Sequence, residues 1–289
     1  MRLSGAAKSL WVLVKKLYDQ TYANRVTGLA AEVTFFAMLS IFPGLLILAA
    51  ALGSLDALLG QDVAGAAQRI VLDFLDQVLT EAASSVLDSV RELFSQPSPG
   101  LLTVAIFTAL YTLSSGFASL IEALDLVYGL TEHRSWVSLR VTAAMLALDM
   151  VLMLAVTLAV VLGPILGGSQ YLSETLGMGE ILCFCWDWLR IPTAFVFLSV
   201  SATIVYHLAP NHPSHRPWID ELPGGLFAAA LGLVVSYGLP FYLSVAGGGN
   251  QVVGVLGGGL ILMMWLYLIS LVLLLGGQLN MILIRPRRG

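Results

Sequence analysis

The chain has 289 residues, of which 58% are hydrophobic and only 11% are charged, and its mean hydropathy is +0.88. Soluble domains carry about 25% charged residues, so this composition argues against a soluble domain and favours a multi-span membrane protein. The formal net charge of −4 adds little. The cysteines, Cys183 and Cys185, are too close in sequence for an unstrained disulfide, so neither a disulfide framework nor a zinc site is predicted.

Residues 1–27 are predicted to form a cytoplasmic amphipathic segment. The stretch MRLSGAAKSLWVLVKKLYDQ lacks the long apolar core and the small-residue cleavage site of a signal peptide. The apolar residues that are spaced to face lipid are Leu10, Leu13, Val14 and Leu17. The basic residues expected to face anionic headgroups are Lys8, Lys15 and Lys16.

Six apolar stretches predict an all-α integral membrane bundle of six transmembrane helices. Their approximate bounds are 28–53, 100–128, 140–167, 183–208, 222–246 and 252–284. The last two come from the run Leu222–Ile284, which contains no Asp, Glu, Lys, Arg or His and which GGGNQ at 247–251 divides. Because every backbone polar group in lipid needs an internal partner, this apolar periodicity favours helices over a barrel.

The positions of the charges predict the orientation. Eleven of the 14 basic residues fall on the side that carries both termini, including the basic tail 285–289. The positive-inside rule therefore places both termini in the cytoplasm. Segment 54–99 lies outside, has seven acids against two arginines, and predicts a small helical periplasmic segment. That segment is either a cap on the spans or a lid or partner-binding surface.

The first predicted span carries three residues that a simple anchor does not need: Glu32, Ser40 and Pro43. Pro43 has no N–H, so the carbonyl of Leu39 loses its helical partner. Ser40 is placed to bond back to the carbonyl of Phe36, and together these residues predict a kink. The polar face points either into a packing contact or into a gate or cavity.

The second predicted span carries a polar stripe. Its members are Thr108, Thr112, Ser115, Ser119 and Glu122, with Asp125 a little further round the helix. Small hydroxyl residues in lipid usually mediate close helix packing. The alternative is that the stripe lines a substrate path, with Glu32 and Glu122 sharing one cytoplasmic site. The arginines on that side that could neutralise the two carboxylates are Arg134, Arg140 and Arg216.

Asp149 is a candidate functional residue because it lies ~15 Å deep in the third span, where an ionisable group is costly. The alternative is a protonated or hydrogen-bonded aspartic acid without a function in transport. Asp187 and Arg190 predict a structural ion pair near the outer surface. The spacing of His207, His212 and His215 does not match a helical metal site, so no metal ion is predicted.

Several stretches resemble one family. These stretches are AAEVTFFAMLSIFPGLLIL, LYTLSSGFASLIEALDLVYG, LRIP (189–192), YHLAPN (206–211), RPWIDELPGG (216–225) and WLYLISLVLLLGGQLN (265–280). In this order they resemble the YihY/virulence factor BrkB family of six-span bacterial inner-membrane proteins, formerly described as ribonuclease BN. The resemblance implies the six-span topology and a location in the bacterial inner (plasma) membrane, but it implies no established chemistry.

The chain departs from the family pattern at two places. The family usually has an acid in its last motif, where this chain has Gln278. Tyrosines often flank the family's asparagine in the fifth loop, whereas Gly249 and Val253 stand near Asn250 here. If those family positions bind a cation or a proton, that step is altered in this chain.

Three functions are compatible with these patterns. The polar stripe and the intramembrane carboxylates favour a transporter or flippase for a lipid or other amphiphilic envelope compound. The alternative is a non-transporting membrane scaffold. A ribonuclease is disfavoured because the short cytoplasmic loops show neither a basic groove nor a metal-binding set of carboxylates. GxxxxGK[ST] is absent, so nucleotide binding is not predicted. The expected partners are membrane lipids, with no cofactor, no nucleic acid and no enzyme activity.

Overall fold

The computed structural model describes residues 5–40, 99–162, 179–212, 216–246 and 252–284. These residues form α-helices and one 3₁₀ turn, and no strand occurs among them. The all-α prediction is therefore confirmed for this part of the chain. The predicted periplasmic helices lie outside it, apart from Pro99 at the start of a helix.

Seven helices are defined by these residues. The described parts of the six predicted apolar stretches lie within helices two to seven. The helices are α1 Gly5–Ala23, α2 Val26–Ser40, α3 Pro99–Tyr128, α4 Trp136–Leu162, α5 Gly179–Leu208, α6 Leu222–Ala246 and α7 Val252–Ile284. The 3₁₀ turn is Trp218–Asp220 and directly precedes α6.

Among the described residues, three helices contain stretches long and apolar enough to cross a membrane. These stretches are Ile191–Leu208 in α5, Leu222–Leu239 in α6 and Gly259–Ile284 in α7. α2 is also apolar, although its described part is shorter. At ~1.5 Å per residue, 18 residues cover roughly 27 Å, close to the ~30 Å thickness of a hydrocarbon core.

The chain divides into two compact units. Unit 1 comprises Met1–Leu29, Ile121–Val234 and Leu271–Gly289. Unit 2 comprises Ala30–Leu120 and Val235–Ser270. The ends of several helices meet in unit 1, and the site described below lies entirely within it.

Hydroxyl side chains in the apolar helices are satisfied largely within their own helix. The Ser40 hydroxyl donates to the carbonyl of Phe36 at 2.7 Å, as the sequence predicts. Thr34 donates to the carbonyl of Ala30 at 2.6 Å, and Thr203 donates to that of Ser199 at 2.7 Å. These bonds let polar residues lie in lipid-compatible helices without leaving a donor unpaired.

The end of α3 has a backbone geometry that fixes the positions of its last polar residues. Gly129 has a φ of 68°, the left-handed conformation that glycine adopts without a steric cost. Its N–H donates to the carbonyl of Leu126 at 3.1 Å, and the N–H of Leu130 donates to that of Asp125 at 2.8 Å. These two bonds form a Schellman motif, which ends the helix directly after Tyr128.

Glycines allow the helices of unit 1 to approach closely around the start of α6. A Cβ added to Gly224 would overlap the carbonyl of Gly276 in α7. A Cβ added to Gly225 would overlap Thr203 in α5, and one added to Gly277 would lie 3.0 Å from Leu124 in α3. The start of α6 therefore packs against α5 and α7 at distances that only glycine permits, and α7 lies close to α3 at Gly277.

The exposed face of α1 differs from the predicted one. Leu13 and Leu17 are half-buried, whereas Trp11, Tyr18 and Tyr22 are exposed. Val14 is exposed as predicted, and the side chain of Leu10 lies outside the described residues. The difference arises because α1 packs its leucines inward, and its aromatic residues form the outer apolar stripe.

Candidate functional site

A buried polar cluster lies where α3, α5, α6 and α7 meet in unit 1. We call it the Glu221 cluster, and its members are Tyr128, His212, Arg216, Glu221 and Asn280. Glu221 and Asn280 are fully buried, and Tyr128 is almost so. Because a buried carboxylate is costly unless it is paired, its partners decide what this cluster does.

One oxygen of Glu221 is held by neutral donors from two other helices. The Tyr128 hydroxyl donates to Glu221 Oε2 at 2.6 Å, and Asn280 Nδ2 donates to the same atom at 3.0 Å. Asn280 also donates to the Glu221 carbonyl at 3.0 Å and accepts the Gly224 N–H at 2.6 Å. One amide thus joins the end of α7 to the start of α6.

The other oxygen of Glu221 faces two basic side chains at longer range. Glu221 Oε1 lies 3.7 Å from His212 Nε2 and 3.8 Å from Arg216 Nη1. The Arg216 guanidinium also lies 5.8 Å from the Tyr128 ring centre, which is a cation–π contact. Arg216 thus provides charge compensation without a short hydrogen bond on this side of the carboxylate.

A second set of charged side chains lies at the same end of α3. Asp125 Oδ1 accepts the Asn211 N–H at 2.7 Å, and Asp125 Oδ2 lies 3.7 Å from Arg134 Nη2. Arg134 forms a salt bridge with Glu132 at 2.7 Å and donates to the carbonyl of Ala209 at 2.7 Å. These bonds fasten the loop after α3 to the end of α5.

The surroundings shift the pKa values of the loop residues. Burial raises the pKa of Glu221 above its usual value, against the opposing effects of Tyr128 and Arg216. Burial and the Arg216 charge lower the pKa of His212 to about 4, despite the nearby Glu221 carboxylate. Burial alone would raise the pKa of Glu132, but its hydrogen bonds to Arg134 outweigh burial and lower it. His212 is therefore neutral at physiological pH.

The pKa of His212 predicts a pH dependence of stability. The unfolded chain, with a histidine pKa near 6.5, binds a proton at this position more readily than the folded protein. Its contribution to stability is complete above pH 6.5 and is lost as the pH falls from 6.5 towards about 4. The melting temperature should fall across this range, and less so in His212→Gln.

The comparison of His212→Gln with the wild type isolates this group, because Glu221 and Glu132 titrate in both proteins. Glu221, with its raised pKa, acts in the opposite direction: its contribution is lost as the pH rises through its folded pKa. Equal slopes of melting temperature against pH in the two proteins would contradict the assignment.

Four stretches that carry the family resemblance meet at this site. LYTLSSGFASLIEALDLVYG supplies Tyr128, and YHLAPN supplies Tyr206, whose hydroxyl donates to the carbonyl of Leu273 at 2.7 Å. RPWIDELPGG supplies Glu221, and WLYLISLVLLLGGQLN supplies Asn280. Sequence reasoning missed Glu221, Tyr128 and Asn280 as site residues, although the motifs that contain them marked the positions.

The predicted residues of the first span occupy different environments. Glu32 is exposed, whereas Ser40 is buried. A Cβ added to Gly116 of α3 would lie 3.1 Å from the Ser40 hydroxyl. Ser40 thus forms part of a close contact between α2 and α3 in unit 2. Pro43 lies outside the described residues, as does the predicted kink at that position.

The predicted polar stripe of α3 divides along its length. Ser115 donates to the carbonyl of Tyr111 at 2.9 Å, and Ser119 is buried. Glu122 is exposed, whereas Asp125 is buried in the contacts described above. The side chains of Thr108 and Thr112 lie outside the described set. Glu32 belongs to unit 2 and Glu122 to unit 1, and their predicted shared site stays a prediction.

Asp149 lies in α4 and is held by a neutral partner from α5. The Ser201 hydroxyl donates to Asp149 Oδ2 at 2.6 Å, and both residues are half-buried. Among the described residues, no basic side chain forms a salt bridge with Asp149. Asp187 and Arg190 lie in α5, but their side chains are outside the described set, so their ion pair stays a prediction.

Gln278, which stands where the family usually has an acid, is fully buried in α7. Its Nε2 donates to Gln20 Oε1 of α1 at 3.0 Å. The described residues contain no group of three or more His, Cys, Asp or Glu side chains that could hold a metal ion.

The chain is similar to one family and to several of its relatives. The family described as "Virulence factor BrkB" matches residues 17–288. A ribonuclease-like protein, YfkH of Bacillus subtilis (strain 168), is 26% identical over 278 residues, covering 95% of this chain and 96% of YfkH. A UPF0761 membrane protein of Azoarcus sp. (strain BH72) is 25% identical over 268 residues, covering 92% of this chain and 62% of that protein.

A third relative is a UPF0761 membrane protein of Alkalilimnicola ehrlichii. It is 27% identical over 210 residues, covering 72% of this chain and 45% of that protein. The chain thus spans less than two thirds of the length of either UPF0761 relative. No solved structure matches it significantly.

Proposed function

The chain belongs to the virulence factor BrkB family of membrane proteins, and from this premise we propose that it is a multi-pass transporter or flippase of the bacterial inner membrane. Its substrate is a lipid or another amphiphilic compound of the cell envelope. In this proposal α2 to α7 are six spans, both termini are cytoplasmic, and the Glu221 cluster lies at the cytoplasmic end.

The observation that carries the proposal is the position of Asp149. It lies nine residues after Arg140, which corresponds to ~13 Å along α4. Its partner Ser201 lies seven residues before Leu208, ~10 Å from the end of α5. In this proposal the pair lies inside the apolar layer, where a carboxyl group that faces lipid is costly.

The exposure of Asp149 supports a polar route rather than a sealed contact. α4 and α5 pack against each other, yet the carboxyl group between them is only half-buried and has a neutral partner. A half-exposed carboxyl group at this depth is tolerated where it meets a water-filled cavity. We infer that the substrate passes along this side of α4 and α5.

Asp149→Asn is expected to reduce transbilayer movement of the substrate at least tenfold, because the amide cannot carry a charge or a proton. The measurement uses purified protein in proteoliposomes with labelled phospholipid and with a lipid A-type glycolipid. Glu32→Gln and Glu122→Gln test the two exposed carboxylates in the same assay.

The matched control is Asp19→Asn, which makes the same chemical change on the exposed surface of α1. Transport by this variant should equal that of the wild type. If folded Asp149→Asn retains full transport, the path along α4 and α5 is wrong. If the folded wild-type protein moves neither lipid, the scaffold function takes its place.

The geometry also supports a protein without ribonuclease activity. Arg134 and Arg216, the basic residues of the described loops beside the site, are mostly buried next to Asp125, Glu132 and Glu221. They are therefore not arranged as an open basic groove for RNA. Cleavage of RNA by the purified protein, abolished by an Asp or Glu substitution, would contradict this proposal.

A further inference from the structure

An exposed apolar stripe runs along α1, outside the proposed spans. Trp11, Val14, Tyr18 and Tyr22 follow a spacing of three, four and four residues, so they share one face of the helix. Their exposed fractions are 61, 56, 73 and 83%. A helix that presents such a stripe beside a polar face is typical of one that lies in the membrane interface.

Basic residues border this stripe. Lys15 Nζ lies 5.5 Å from the centre of the Trp11 ring. Lys16 and Asp19 are exposed on the neighbouring side of the helix. A lysine next to an interfacial aromatic ring is placed at the depth of lipid phosphates, and anionic lipids attract such residues.

The opposite face of α1 is fixed to the helical bundle. Gln20 accepts a hydrogen bond from Gln278 of α7 at 3.0 Å. Gln278 lies two residues before Asn280, a member of the Glu221 cluster. This bond holds the end of α1 at the same end of unit 1 as that cluster, with the aromatic stripe facing away from the bundle.

Two further exposed tryptophans mark this end of unit 1. Trp136, at the start of α4, is 65% exposed, and the Arg140 guanidinium lies 5.5 Å from its ring. Trp218, just before α6, is 50% exposed and stacks on His207 at 4.5 Å. Exposed aromatic rings at helix ends form the interfacial belts of membrane proteins.

We propose that α1 is a binding surface for anionic phospholipid, with Trp11, Val14, Tyr18 and Tyr22 inserted into the leaflet and Lys15 and Lys16 at its phosphates. The exposed rings of the stripe suit the membrane interface, as do those of Trp136 and Trp218, and the lysines complement a negative headgroup layer. The surface is distinct from the route beside Asp149 and does not depend on transport.

The test uses full-length protein in which both native cysteines are replaced, Cys183→Ser and Cys185→Ser. A single new cysteine is then introduced and labelled with the fluorescent probe NBD. Tyr18→Cys and Tyr22→Cys label the stripe, and Asp19→Cys is the matched control on the neighbouring polar face. In nanodiscs that contain phosphatidylglycerol, aqueous iodide should quench the probe at the stripe several-fold less than the control probe. Equal quenching would overturn the proposal.

Lipid charge provides the second arm of the test. With phosphatidylcholine alone, iodide should reach the stripe more readily than with phosphatidylglycerol present. Lys15→Gln combined with Lys16→Gln should remove this difference between the two lipids and leave the melting temperature in detergent unchanged. If iodide quenches the stripe probe equally in both lipids when Lys15 and Lys16 are present, an anionic lipid is not the partner.

Discussion

Replacement of Gly224 by alanine is expected to force the start of α6 away from α7 and to destabilise the folded protein strongly. The added Cβ would overlap the backbone carbonyl of Gly276 and the side chain of Asn280. A backbone carbonyl cannot rotate away, so the helices themselves must separate. Overpacking of this kind costs typically 1–3 kcal/mol, and occasionally more. The measurement is the melting temperature of the purified protein in detergent, together with its yield.

Gly238→Ala is the matched control, because Gly238 lies in the same helix and nothing stands within 4 Å of an added Cβ. An interior glycine-to-alanine change otherwise favours a helix by about 1 kcal/mol. The control should therefore keep or slightly raise the melting temperature. Equal melting temperatures for the two variants would contradict the close contact between α6 and α7.

Asn280→Ala is expected to destabilise the folded protein more than Gly224→Ala does. It removes the acceptor of the Gly224 N–H and one donor to the buried Glu221 carboxylate. Each buried polar group left unpaired costs about 1–3 kcal/mol. Loss of one partner of a buried charge costs about 3–5 kcal/mol in comparable cases. The melting temperature in detergent should fall accordingly.

Asn24→Ala provides the control for Asn280→Ala, since Asn24 lies in the turn between α1 and α2 and its change should be nearly neutral. Glu221→Gln tests the mechanism, because it removes the charge and keeps the shape. In the double variant Glu221→Gln with Asn280→Ala, the loss of stability should be smaller than the sum of the losses in the two single variants. Full additivity would show that Asn280 does not stabilise Glu221.

The positions of the helices were predictable because they depend on local properties of the chain. The run Leu222–Ile284 has no charge and a glycine-rich break, so two helices were predicted within it, and α6 and α7 occupy it. The bond from Ser40 to the carbonyl of Phe36 was predictable for the same reason, since both groups lie on one turn of one helix.

The partners of the buried charges were not predictable from spacing. Tyr128, Glu221 and Asn280 are 93 and 59 residues apart along the chain, and each lies near the end of an otherwise apolar segment. Glu221 in isolation reads as a loop residue exposed to water. Glu221 is removed from water only because α3, α6 and α7 pack closely around it, and this packing also brings Tyr128 and Asn280 within hydrogen-bond distance.

The sequence by itself determined the class of this protein, because membrane residence depends on the length of apolar runs and the scarcity of charge, which are local quantities. It indicated the approximate positions of the described helices for the same reason. Only the tertiary structure decided which face of α1 is exposed, since Gln20 meets Gln278 more than 250 residues away. It also decided that Glu221 is the buried centre of the site, because burial and hydrogen-bond partners depend on helices that are distant in the chain.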